Sequence, residues 1–360
     1  MISRPREDFG PARRLLFVTG TPVSVRGGSG TFVGISVLRR ALEEAGHRVD
    51  LVAPSGNSAS TVSRFFFNLG ARGAARNRKF DAIVGFDLDG LFVSSRGTPR
   101  IASIKGVIAD ELQFERGSTR LSLRFASRLE ELHAKRADLV LTTSEYAASR
   151  IVAAYGVARE RVRIVPEPIS LIRWEASLAA SRRVEREGPG ILCVAHLYPR
   201  KEVASLIRAL LLMRTPARLR IVGTGPQGEA LQALARALGL SDRVTFLGHI
   251  PFDRLAEEYR SADIFCLPSV QEGFGIVFLE AMAACLPVVA CQAAAVPEVV
   301  ADGETGLLVP PFDVPALAFV LDRLAIHEAD RRRLGEAGRN RVARYDAPVV
   351  AQEFLEAIGL

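Results

Sequence analysis

Residues 268–283 read Pro268-Ser269-Val270-Gln271-Glu272-Gly273-Phe274-Gly275-Ile276-Val277-Phe278-Leu279-Glu280-Ala281-Met282-Ala283. The apolar run Ile264 to Leu267 before this stretch has the length of a strand, and the apolar residues after Gly275 open a helix. A loop joining the two leaves the amides of Phe274, Gly275 and Ile276 at a helix start, where unpaired N–H groups and the peptide dipoles favour an anion. Glu272 lies in the loop. Glu280 lies about two turns down the helix, at a rise of about 1.5 Å per residue. Two carboxylates framing an anion site could grip hydroxyl-rich groups on either side of a diphosphate. Taken singly, each acid is explained as a solvated or helix-capping residue, but the Gly-Phe-Gly spacer is not.

The same strand–helix alternation extends in both directions. Towards the N-terminus, strands are expected at Leu15–Thr19, Arg48–Ala53, Ala82–Phe86, Ile101–Ile104, Leu139–Thr143 and Val162–Pro166. After the first comes the turn Arg26-Gly27-Gly28-Ser29-Gly30, then a helix with Phe32, Ile35, Leu38 and Leu42 at helical spacing, stopped by Gly46. The second series has strands at Ile191–Ala195, Leu219–Val222, Val244–Leu247, Ile264–Leu267 and Val288–Ala290. Between the two series, residues 170–190 are polar and arginine-rich and end in Gly-Pro-Gly, which reads as a linker. The expected fold is α/β, with two Rossmann-like doubly wound domains, residues 1–169 and 191–345, facing a central cleft.

Composition narrows the function. The chain has 360 residues, 48% of them hydrophobic and 24% charged, enough for two cores. No uninterrupted apolar run approaches the ~18 residues of a membrane span, and Leu15–Thr19 is too short for a signal-peptide core, so a cytoplasmic protein is expected. Cys193, Cys266, Cys285 and Cys291 form no Cys-x-x-Cys pair, and the five histidines lack metal-ligand spacing. The net charge of +7 and pI near 9.6 suit an anionic membrane surface, a phosphorylated substrate or nucleic acid, or only a solvated basic surface. No nucleic-acid partner is expected. Arg64 to Lys79 interleaves Phe65, Phe66, Phe67 and Leu69 with Arg64, Arg72, Arg76, Arg78 and Lys79. This segment could make peripheral contact with an anionic membrane, or could pack its phenylalanines inward.

Two glycine loops resemble a dinucleotide-binding fingerprint. Gly28-x-Gly30 follows the first strand, and Gly223-Thr224-Gly225-Pro226-Gln227-Gly228 matches Gly-x-Gly-x-x-Gly. Neither is followed by the ribose-binding acid of a nicotinamide enzyme at the end of the next strand, which argues against a dehydrogenase. Either glycine loop could bring backbone amides to a phosphate, or be a tight turn only.

With its flanking residues, Glu272-Gly-Phe-Gly-x-x-x-x-Glu280-Ala-Met-Ala resembles the Glu-x7-Glu signature of family 4 retaining glycosyltransferases. The similarity runs through Gly27-Gly28, Ala137-Asp138-Leu139-Val140 with Ser144, Arg163-Ile164-Val165-Pro166, Pro199-Arg200-Lys201 and Val222-Gly223-x-Gly225-Pro226. It continues in Phe246-Leu247-Gly248, Pro297-Glu298-Val299-Val300 and Gly303-x-x-Gly306-Leu307-Leu308-Val309.

The resemblance implies the GT-B fold and transfer of a sugar from a nucleotide-diphosphate donor to an unidentified acceptor, with retention and without a metal or other cofactor. Residues 1–169 would be the acceptor side, with 346–360 packing back onto it, and residues 191–345 would bind the nucleotide-sugar. Glu280 would hold the ribose, Glu272 the sugar hydroxyls, and the amides of Phe274, Gly275 and Ile276 the sugar and distal phosphate. Lys201, with Arg200 nearby, would neutralise the leaving diphosphate, groups around Ile250 would meet the base, and Gly28 and Gly225 would approach the phosphates.

Two positions depart from the family pattern: His196 stands where most members have arginine, and Lys105 follows Ile101–Ile104 where many have histidine. Lys105 is expected to act as a site cation, or else to pair with an acid such as Asp110 or Glu111. Asp87-Leu88-Asp89 spells the Asp-x-Asp of metal-dependent transferases of another fold, but the tripeptide is common by chance and stands away from the donor loop; Asp87 or Asp89 could instead line the acceptor cleft. The alternatives kept are a GT-B binding protein without transfer activity and a nucleotide-sugar epimerase.

Overall fold

The computed structural model describes residues 11–21, 30–54, 61–76, 78–94, 97–184 and 187–360. The first sheet contains β1 (Arg14–Val18), β2 (Arg48–Val52), β3 (Ala82–Phe86), β4 (Arg100–Ile104), β5 (Leu139–Thr142) and β6 (Val162–Ile164) in the order β2-β1-β3-β4-β5-β6. The second contains β7 (Gly190–Val194), β8 (Arg218–Val222), β9 (Val244–Gly248), β10 (Ile264–Leu267), β11 (Val288–Cys291) and β12 (Gly306–Val309) in the order β12-β11-β10-β7-β8-β9. Every pairing is parallel. Strands covered on both faces by helices read as unbroken apolar runs, as β3 and β10 do, and both are buried along their whole length. β12, Gly306–Val309, was not among the expected strands.

The strand order decides where a ligand can sit. In the second sheet the winding reverses between β7 and β10, so the loops leaving their C-terminal ends diverge and open a crevice. In the first sheet the corresponding break lies between β1 and β3.

Residues 170–190, expected as a linker, instead begin with the helix Leu171–Ala180. Leu171, Trp174 and Leu178 share one face of it and pack into the second core, Trp174 meeting the rings of Phe252 at 5.0 Å and Tyr259 at 5.3 Å. Burial of that stripe anchors the helix to the second domain. The helix Ala347–Ala357 returns to the first domain. There Val350, Ala351, Phe354 and Leu355 join the core around β1, and Phe354 lies 6.0 Å from Phe17. The chain therefore crosses between domains twice, side by side. Ile169 and Asp346 form a bridge, with Ala347 N donating to Ile169 O at 2.8 Å and Ile169 N to Tyr345 O at 2.9 Å.

Candidate active site

The loops that leave β7 and β10 carry the central pair. After β7 the chain makes a tight turn at Pro199–Lys201, and Glu202 takes a left-handed conformation (φ 49°) before the next helix begins. Val270 N donates to Arg200 O at 2.9 Å, which ties the two loops together. Lys201 Nζ lies 2.5 Å from Glu272 Oε1, and Ser269 Oγ donates to the same oxygen at 2.8 Å. Cation and carboxylate are thus held together where the sheet order reverses.

Gly275 precedes the helix Ile276–Ala283 in the left-handed region (φ 92°), and a side chain there would run into the ring of Phe278. Phe274 turns its own ring into the core against Tyr345, 5.5 Å away. Ile276 lies against Gly30, the first residue of the first-domain helix Gly30–Glu44, so two helix starts face one another across the cleft. Gly273 must be glycine for a different reason: a Cβ would stand 2.6 Å from Lys105 O. Gly28 lies outside the described residues.

Glu280 is buried, and Tyr259 OH donates to its Oε2 at 2.8 Å. Burial pushes its carboxyl up to about 7, against the opposing hydrogen bond from Tyr259. Arg200 reaches across the cleft to Glu111 (3.2 Å) and Glu115 (3.6 Å) and lies over the Tyr198 ring at 4.7 Å. Burial raises the Glu111 carboxyl, with Arg200 and Lys201 opposing. A diphosphate entering here would have to take Arg200 from these two carboxylates.

His196 is exposed just after β7, its ring 6.3 Å from that of Tyr198. Gly225 packs on Leu197, where a Cβ would be 2.5 Å from the backbone nitrogen, so close packing explains this glycine. Ile250 is half-buried against the second core. Lys105 is buried and pairs with Glu167 at 3.3 Å, not with Asp110 or Glu111. Its backbone carbonyl faces Gly273. The other Glu167 oxygen, Oε2, is buried without a hydrogen-bond partner among the described residues. Sequence reading missed Glu167; its one signal was a position just past β6, on the same edge of the sheet as Lys105.

Asp89 is fully buried, held by Arg64 (2.5 Å), Asn68 Nδ2 (2.9 Å) and Gly20 N (2.5 Å). Asp87 adjoins it, its carboxyl pushed up to about 6 by burial, while its Oδ1 accepts from Lys105 N at 3.0 Å. The Asp-x-Asp tripeptide is therefore a structural brace under the cleft. Asp89 has no exposed surface to offer a ligand, and Arg64, counted among surface cations, is the half-buried partner of Asp89. No group of three or more His, Cys, Asp or Glu side chains arranged to hold a metal occurs among the described residues.

Two family profiles match the chain, "Glycosyltransferase Family 4" over residues 28–173 and "Glycosyl transferases group 1" over residues 178–341. The chain belongs to the family 4 glycosyltransferases. Among its relatives, a GDP-mannose-dependent alpha-(1-6)-phosphatidylinositol monomannoside mannosyltransferase of Mycolicibacterium smegmatis is 36% identical over 219 residues, 57% of each chain. A D-inositol 3-phosphate glycosyltransferase of Nocardia farcinica is 37% identical over 222 residues, 58% of this chain and 48% of that protein. The chain thus spans about half the length of these relatives. Among solved structures, sucrose-phosphate synthase of Thermosynechococcus elongatus superposes with a TM-score of 0.79 at 22% identity, over 97% of this chain and 98% of that one. HepE of Anabaena, solved with UDP and glucose, gives 0.74 at 19%, over 96% and 99%. The fold of this family 4 glycosyltransferase is GT-B.

Proposed function

We propose that the protein transfers a sugar, with retention, from a nucleotide-diphosphate donor held by the second domain to a hydroxyl presented by the first. The observation that carries this is the Lys201–Glu272 pair beside the helix start at Gly275, at the switch point between β7 and β10. As the bond from the sugar carbon to the diphosphate oxygen breaks, negative charge grows on that oxygen, and fixed cations and amides stabilise it most at that moment. Lys201 and the amides of Phe274 to Ile276 supply them. The acceptor oxygen bonds to the same carbon on the same face, and its proton passes to the departing phosphate. Since Lys201, Arg200 and the helix start provide the counter-charge, no divalent metal is required. UDP or GDP is therefore expected to raise the melting temperature equally with and without chelator, by thermal shift. Strict dependence on magnesium or manganese would sink this reading.

We propose also that the first domain works at an anionic membrane, where a lipid-linked acceptor would be found. The surface differs from the one expected, since Phe65 and Phe67 pack inward. Val62 and Phe66 on the helix Thr61–Gly70 and Leu121 and Phe125 on the helix Gly117–Arg136 are exposed. Thr61 and Ser122 hydrogen-bond at 2.8 Å, and Phe65 stands within 6.1 Å of both Phe66 and Phe125, so the four form one patch. Arg116, Arg120, Arg124 and Arg128, all exposed, flank it at one-turn spacing. Each such cation adds about 1 kcal/mol near anionic lipid. Flotation is expected with phosphatidylglycerol vesicles and not with phosphatidylcholine, and Phe66→Asp with Phe125→Asp should abolish it. Equal recovery with both lipids would remove the idea.

A further inference from the structure

Glu298 projects from the second domain, just after β11, to the first. Its Oε2 accepts from Glu145 N and its Oε1 from Tyr146 N, both at 2.8 Å. These are the first two amides of the helix Glu145–Tyr155, and the third, of Ala147, is capped by Ser144 Oγ at 3.1 Å. A helix start in one domain is thus completed by a carboxylate from the other, in bonds strengthened by the charge and the helix dipole. The segment bearing Glu298 is itself joined to the donor loop. Ala295 N donates to Glu272 O at 3.3 Å, and Gly273 O accepts from Thr143 Oγ1 (3.0 Å) and Ser144 Oγ (2.8 Å). Arg341 fixes the segment from behind through Glu298 O (3.0 Å) and Val299 O (2.9 Å).

We infer that Glu298 is a positioning residue, an interdomain latch that closes the cleft and sets the Glu272-Gly273-Phe274 loop against the first domain for transfer. Its effect on turnover rests on the function proposed above, whereas the latch itself rests on these contacts. Glu298 is solvent-exposed, so water can replace its bonds, and the latch is strong enough to bias closure and weak enough to release product. It touches neither Lys201 nor Glu280, and the nucleotide should bind the second domain alone.

The test combines scattering with kinetics on the full chain. Without nucleotide, Glu298→Ala is expected to have a larger radius of gyration by small-angle X-ray scattering than the wild type. Affinity for UDP and GDP should stay within about 2-fold, and kcat should fall about 2- to 30-fold, the range of a carboxylate at a helix start. Glu298→Gln should lie between, and Glu298→Asp should recover part of the loss. An unchanged radius overturns the latch even if no sugar donor is found, which keeps its failure apart from failure of the transferase reading. An opened variant with wild-type kcat, or a loss of nucleotide affinity equal to the loss of kcat, overturns the positioning role.

Discussion

Lys201→Ala is expected to lower kcat about 100-fold or more, the scale on which removing one fixed stabiliser of developing charge acts. Glu272→Ala should fall by a similar factor, because Glu272 Oε1 holds Lys201 at 2.5 Å and fixes where the ammonium points. The two act as one unit, so the double variant should lose little more than either single one, whereas independent residues would multiply their losses. Nucleotide binding should weaken much less than turnover in all three. A double variant showing the product of the single losses would disprove the unit, and near-normal kcat in the single variants would remove the site.

Glu280→Gln should stabilise the ligand-free protein and weaken nucleotide binding. The folded carboxyl titrates near 7, raised from 4.5 by burial. Between those values the native state holds a proton the unfolded chain has lost, so stability falls as pH rises through this window, and above about 7 the full penalty applies. At 1.36 kcal/mol per pH unit that penalty is about 3 kcal/mol at most. Glutamine, always neutral, escapes it. The variant should therefore melt higher than wild type at pH 8 and about equally at pH 4.5. If the carboxylate accepts the ribose hydroxyls, affinity for UDP or GDP falls about 10-fold or more, the worth of a charged hydrogen bond. A variant that melts lower at pH 8 and keeps its affinity would refute both halves.

The loop between β10 and the helix Ile276–Ala283 and the alternation of strands were legible because each is local. A strand followed by Gly-Phe-Gly and a helix fixes the backbone within 16 residues, and buried parallel strands are unbroken apolar runs. Contacts made across the fold were not legible. Lys105 and Glu167 lie far apart in sequence, and only the adjacency of β4, β5 and β6 brings them to one edge. Arg64 read as a surface cation because nothing local reveals that Asp89 waits inside the domain to receive it. The helix Leu171–Ala180 was obscured by the polar, arginine-rich residues that follow it, and Glu298, although quoted within a motif, gave no sign that its partners were amides of the other domain.

The return of the helix Ala347–Ala357 bears on how the protein is made. Phe354 and Val350 are almost wholly buried in the core around β1, yet they leave the ribosome only after the entire second domain. Until then the face of β1 and of the helix Gly30–Glu44 that they cover stays open, so the first domain to be synthesised is the last to be finished. The second domain, whose core draws on one continuous stretch from Ile169 to Tyr345, can be complete beforehand. The nascent chain would then hold a finished second domain beside an unfinished first one, and would gain its cleft only with its closing helix.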